Sequence, residues 1–418
     1  MIFLFFFFFF YCLNIFQSLI VLPFKRNSFS ITKDFSFIQY FTQNEFYVLL
    51  EIGNPPQLLK SYLFFSESCF FISVNYFNKN LSKTFKSDKN IIQFEVSNFF
   101  TEGTLSNDKI KISNKKIEFK DIIFPLVSEQ NPNFNRHFSS IFGLRPDEHL
   151  NFIYQLKMQK IIDSFVFTLE FNDNNKEENN LLIGNYPHEY NNKKYNIDYF
   201  HFGKVYIDND NLIWEFIINN VKFGNEIVEK NIFCDFNPSF EGLIGTTNFE
   251  KYINEIYFEQ KIKDKICFKD SENYYTYYYC NEIKNFNNTS IFFEQNDINY
   301  SFEIDSKELF RKINNKYYFM IIFDNYNSNK WFFGEIFLRK YKMTFDQEKK
   351  IIGFYRTPNN PNNIKNNKIL KKIIIFLIIL LCFLFISYYL VKKKKFFTKN
   401  KIYLNEMIET SGYNFISK

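Results

Sequence analysis

The sequence predicts a mostly β body set between an apolar start and one C-terminal membrane helix. Three observations carry that expectation. Short runs of β-branched and aromatic residues alternate with Asn, Asp, Lys and Gly turns through most of the chain, the pattern of half-buried strands. Helical periodicity is confined to short stretches. Two apolar segments bound the 418 residues, and the body between them is long enough for two core-bearing lobes of ordinary size.

Taken in chain order, residues 1–22 read as a secretory signal, with Phe filling positions 5–10. An uncleaved anchor is the alternative, because a basic leading region and a small-residue cleavage site are both missing. Strands are expected at Phe46–Leu50, Lys109–Ile112, Phe165–Leu169 and Phe216–Ile218, and a helix at Asn151–Met158. Residues 172–180 and 192–194 read as polar loops. Pro358-Asn359-Asn360-Pro361 opens a stalk, residues 358–372. Ile373–Val391 then runs for 19 residues without a charge, enough to cross a bilayer as a helix. Lys392–Lys395 follow at once and place the tail, residues 392–418, in the cytoplasm; Lys371 and Lys372 blunt that asymmetry. The expected arrangement is a single-pass type I membrane protein of the secretory pathway or cell surface, with a luminal or extracellular ectodomain. Tyr413-Asn414-Phe415-Ile416 in the tail matches a Tyr-x-x-apolar sorting signal, with a chance match as the alternative.

The 60 Phe, with abundant Asn, Lys and Ile, reflect a codon-composition bias and carry no functional weight. The net charge is +6, but residues 392–418 hold seven Lys and two Glu and so supply five of the six charges. The body is close to neutral, and nucleic acid is excluded as a partner. Of six Cys, Cys12 and Cys382 fall in the apolar ends. Cys267 and Cys280, 13 apart, are expected to close a local disulfide, flanking a Tyr-rich stretch at 274–279 expected to face solvent. Cys69 and Cys234 read as buried thiols, with a bridge between them as the alternative. Zinc is the competing reading of these cysteines, but Cys-x-x-Cys pairs are missing and the four His are not grouped, so no metal or other cofactor is expected. Asn80, Asn287, Asn288 and Asn299 each open an Asn-x-Ser/Thr acceptor site for glycosylation.

Six ordered blocks carry a family resemblance. They are Tyr47-Val48-Leu49-Leu50-Glu51-Ile52-Gly53-Asn54-Pro55-Pro56-Gln57; Gly103 to Ile110; Ser140-Ile141-Phe142-Gly143-Leu144; Leu181-Leu182-Ile183-Gly184-Asn185; Ile213-Trp214-Glu215-Phe216; and Phe332-Phe333-Gly334-Glu335-Ile336-Phe337-Leu338-Arg339, continuing to Phe354. Together they resemble the pepsin-like aspartic peptidases. The resemblance implies a bilobal pepsin-like acid protease fold, with lobes at 44–188 and 189–357. It also implies two Asp-Thr-Gly loops whose carboxylates share one proton over a water.

Carried over residue by residue, the second loop keeps its acid. Asp235 falls on the catalytic Asp and Ser239 on the loop's closing Ser, while Phe236 and Asn237 replace Thr and Gly. The first loop does not. The position seven past Gln57 is Phe64, in Phe64-Phe65-Ser66, and Phe70-Phe71-Ile72 downstream pins the register without a gap. Glu67 reaches that position only by a three-residue slip, which would disturb the strand alternation. Val96 stands where the family's flap carries Tyr. The family's two Thr hydroxyls, which brace the loops, are lost at Phe65 and Phe236.

Phenylalanine holds no proton and no water, and general acid–base work alone is worth ~10²–10⁴-fold. The reading is therefore a membrane-anchored homologue with impaired catalysis. Its cleft, lined by Val96, Ser66, Asn237 and Ser239, would bind an extended peptide or protein ligand through main-chain hydrogen bonds. The chain is expected to act as a monomer. The alternatives are an active aspartic endopeptidase with a divergent site, and a non-enzymatic surface scaffold or adhesion protein.

Overall fold

A computed structural model describes residues 19–27, 36–96, 99–113, 117–127, 138–146, 150–172, 179–204, 206–208, 211–283, 290–326 and 329–355. Residues 1–18, the stalk, the membrane segment, the tail with Tyr413, and Asn287 and Asn288 lie outside these. Among the described residues no helix is long and apolar enough to cross a membrane.

Alternation builds the strands. In β2 (Glu45–Ile52), Phe46, Val48, Leu50 and Ile52 are buried while the residues between them are partly exposed. Around it run β1 (Ile20–Asn27), β3 (Gln57–Phe64), β4 (Phe70–Ser73), β5 (Lys86–Val96), β6 (Phe99–Ile112), β7 (Glu118–Val127) and β8 (Ser140–Gly143). The chain continues through β9 (Val166–Glu170), β10 (Asn179–Ile183) and β11 (Phe200–Lys204). The second half supplies β12 (Tyr206–Asp208), β13 (Asn211–Phe223), β14 (Glu226–Phe236), β15 (Leu243–Gly245), β16 (Cys267–Glu272), β17 (Tyr275–Cys280), β18 (Ile291–Gln295) and β19 (Tyr300–Ile304). It ends with β20 (Phe310–Ile313), β21 (Lys316–Phe319), β22 (Ile321–Asp324), β23 (Lys330–Phe333), β24 (Thr344–Asp346) and β25 (Ile351–Tyr355).

These strands form two sheets. One has the order β11-β25-β24-β9-β10-β1-β2-β3-β8-β4-β7-β6-β5, and the other β19-β18-β13-β14-β23-β15-β22-β17-β21-β20, with β12 on β13 and β16 on β17. Both lobes repeat one motif. β3 runs parallel to β8, which is antiparallel to β4; β14 runs parallel to β23, which is antiparallel to β15. The lobe boundary expected at 188/189 falls between β10 and β11 of one sheet, and β24–β25 return to that sheet from the end of the body. Strand periodicity is local and carries no trace of such distant pairing.

The start of the body is woven in, not appended. β1 pairs with both β10 and β2, and Ile20, Leu22 and Phe24 are buried. The structure thus assigns to a core strand residues 20–22, the last of the apolar start that reads as a signal. The following helix α1 (Phe37–Thr42) puts Phe37, Ile38 and Phe41 into a cluster with Ile244, Tyr277 and Tyr318 of the second sheet and with Met320, between β21 and β22. Arg26 forms ion pairs with the buried Glu241 and Glu335, and the buried Asn44 donates to the same carboxylates at 2.7 and 3.0 Å.

Cys267 and Cys280 face each other across β16 and β17 and are bridged as expected. Cys69 and Cys234 are buried and are not joined. The Tyr-rich stretch is not a solvent-facing loop: residues 275–280 are strand β17, with Tyr277 and Tyr278 buried. Tyr277 packs under Phe37 and Tyr278 stacks on Phe258 at 4.3 Å. Tyr274 alone of the group lies well exposed, at 65 %.

Candidate active site

The repeated motif positions the two loops. β3 ends at Phe64 and β14 ends at Phe236, one residue past Asp235. Phe64 is thus the last residue of β3 and Asp235 the next to last of β14; Phe64 pairs with Gly143 of β8, whereas Asp235 pairs with Phe332, two residues before Gly334. Behind Phe64, residues 67–69 pass so close to Gly143 that a Cβ there would lie 2.5–2.8 Å from their backbone atoms. Glycine is required for that approach. Asn151 fixes the same crossing. Its Oδ1 accepts from the Ile153 and Tyr154 amides, capping helix α2 (Phe152–Met158), and its Nδ2 lies within 3.0–3.2 Å of the Ser68, Gly143 and Arg145 carbonyls.

The two sides communicate through named bonds. The Leu144 amide donates to the Phe64 carbonyl at 2.7 Å, and Trp214 Nε1 donates to the Leu144 carbonyl at 2.7 Å. Trp214 precedes Glu215, which stands opposite Asp235 in the β13–β14 ladder.

The side chains at the two strand ends differ in kind. Phe64 is half-buried and packs edge-on to Phe138 at 5.1 Å, in a small cluster with Cys69, Phe71 and Ile141. The Asp235 side chain is 23 % exposed, and its Oδ1 accepts from the Phe236 amide at 2.8 Å. Lys330 Nζ lies 3.4 Å from Asp235 Oδ2 and 3.4 Å from Glu215 Oε1. Burial raises the Asp235 pKa; Lys330, the Phe236 amide and Arg145 act against the rise. Burial also lifts the neighbouring Cys234 thiol well above its ordinary value, with Asp235, Glu215 and Glu229 adding to the shift.

The other expected site residues are distributed around these loops. Ser66 is exposed, and its Oγ lies 3.5 Å from an oxygen of the buried Glu67. Asn237 anchors the second loop, donating its amide to the Phe333 carbonyl at 3.0 Å and accepting from the Ser239 amide at 3.0 Å. Ser239 in turn accepts from the Asn44 amide at 3.0 Å through its carbonyl. Val96 ends β5, opposite Phe99 in the β5–β6 hairpin, and its side chain is outside those described. Asn80 and Asn299 are exposed. Among the described residues no group of His, Cys, Asp or Glu is arranged to hold a metal.

Sequence reasoning assigned no role to Lys330, Glu215 or Arg145. All three lie in or beside blocks that the sequence does show: Glu215 is within Ile213–Phe216, Arg145 follows Leu144, and Lys330 stands two residues before Phe332. Their side-chain directions follow from strand register, which the blocks do not state.

Two β sheets that repeat one strand motif, with Asp235 next to last in β14, are consistent with an aspartic protease body. The eukaryotic aspartyl protease family model matches residues 47–357, and the chain belongs to that family. No curated protein matches the chain at a significant level.

Proposed function

We propose that this protein is a membrane-anchored member of the aspartyl protease family whose catalysis is impaired and whose cleft binds extended peptide. The observation that supports the reading is the kind of side chain found near the ends of β3 and β14. Phe64 is packed on Phe138, and Asp235 is within 3.4 Å of an ammonium group. The family's chemistry needs a second carboxylate to share a proton and to hold the attacking water. A phenyl ring supplies neither oxygen. An ammonium beside Asp235 favours its ionised form but cannot take up the proton of an attacking water. Peptide binding does not depend on the dyad, because an extended ligand is held by main-chain bonds and apolar pockets.

The same proposal takes residues 1–22 as a secretory signal and the uncharged run Ile373–Val391 as a membrane span, both read from the sequence, with the ectodomain luminal or extracellular. The test uses the purified full chain in detergent. It is expected to leave a denatured protein uncut between about pH 3 and 6, where a carboxylate dyad works. It is also expected to bind labelled extended peptides in a polarisation assay. Pepstatin-sensitive turnover abolished by Asp235→Asn would overturn the impairment, and loss of that turnover in Glu67→Gln would identify the second acid. Peptide binding that is undetectable would favour the scaffold reading.

A further inference from the structure

Phe65 and Phe236, which the family resemblance aligns with its bracing Thr residues, converge on one side chain. Phe65 meets Phe345 edge-on, with centroids 5.0 Å apart and planes at 79°. Phe236 meets the same ring at 5.5 Å and 81°. Phe345 is fully buried in β24, hydrogen-bonded through its strand to β9 and β25. It stacks on Phe167 of β9 at 5.0 Å and 17°, and touches Trp214 of β13 at 5.1 Å. Among the described residues no ring contact joins Phe65 to Phe236 directly. The first-lobe loop, the second-lobe loop and both sheets thus share Phe345.

We propose that Phe345 is a positioning residue that braces both loops, doing by ring packing what paired hydroxyls do elsewhere in the family. The near-equal edge-on geometry of the two contacts is what the proposal rests on. A hydroxyl brace is polar and directional; an aromatic one is dry and depends on shape. Restoring an acid at position 64 would leave this brace untouched, so the inference stands or falls apart from any activity.

The experiment is a three-way cycle in the full chain. Phe65→Leu and Phe236→Leu are made singly and together, each with Phe345 intact and with Phe345→Leu. Amide hydrogen exchange reports on the loops at Leu144 and Arg145, bonded to the Phe64 and Glu67 carbonyls, and at Asn237, bonded to the Phe333 carbonyl. Phe345→Leu is expected to speed exchange roughly tenfold at all three, with the β18–β19 hairpin unchanged. Phe65→Leu is expected to speed exchange at Asn237 only while Phe345 is present. Acceleration at one loop alone, an equal rise in the β18–β19 hairpin, or an effect of Phe65→Leu on Asn237 that persists without Phe345 would each overturn the proposal. If Phe345→Leu does not fold, Phe345→Met, which keeps volume without a ring, is read the same way.

Discussion

Asp235 holds its charge at a cost. Its pKa is raised above the ordinary 3.8, chiefly by burial, so the ionised form is disfavoured in the folded chain. The sign follows from linkage: the penalty is present above the folded pKa, shrinks as pH falls through it, and is gone below the unfolded value. Asp235→Asn is therefore expected to raise the urea midpoint at neutral pH and to leave it unchanged at about pH 3. Lys330, with its side chain 35 % exposed, loses little when its partner is neutralised, because water replaces it. A variant less stable than the parent at neutral pH would show that the ion pair outweighs burial. The count from Gly53–Gln57, Phe70–Ile72 and Ile232–Phe233 led to Phe64 and Asp235, which the structure sets at the last position of β3 and the next to last of β14. Lys330 was not legible, since nothing in Lys330-Trp331-Phe332 says which strand lies beside it.

Helix α2 illustrates what a short element contributes. Its seven residues are too few to be stable alone; what secures it is Asn151, fully buried, capping the helix and reaching three carbonyls of the crossed loop. Asn151→Ala removes a cap and leaves buried acceptors unmet. A loss of about 3 kcal/mol is expected in urea unfolding at unchanged m; a loss below about 1 kcal/mol would show that water fills the gap. This helix, like β2 and β9, could be read from its own residues, because local periodicity is a local property. β1 could not be separated from the apolar segment before it, since apolar residues serve a signal and a buried strand alike. Its burial yields a processing prediction. If the apolar start is removed as a signal, the mature protein should begin at or before Ile20. N-terminal sequencing decides the matter, and a mature chain starting after Leu22 would contradict the role of β1 in the core.

The two sheets meet through segments far apart in sequence. Arg26 and Asn44 reach Glu241 and Glu335, and residues 344–355 close the sheet that residue 20 opens. None of this pairing was legible beforehand, because a strand names its periodicity but not its neighbour. The family blocks supplied the lobes; the weaving between them came only with the structure. That weaving bears on how the chain is made. β24 sits between β9 and β25, and β9 is completed about 170 residues before β24 emerges. At ordinary synthesis rates the wait is on the order of tens of seconds. During it, the β9 edge and the site for Phe345 stand open, an edge that invites pairing with other chains. A chain that ended before Thr344 would hold every strand of the second sheet but lack β24 and β25 of the first, and its fate would rest with chaperones rather than with the fold.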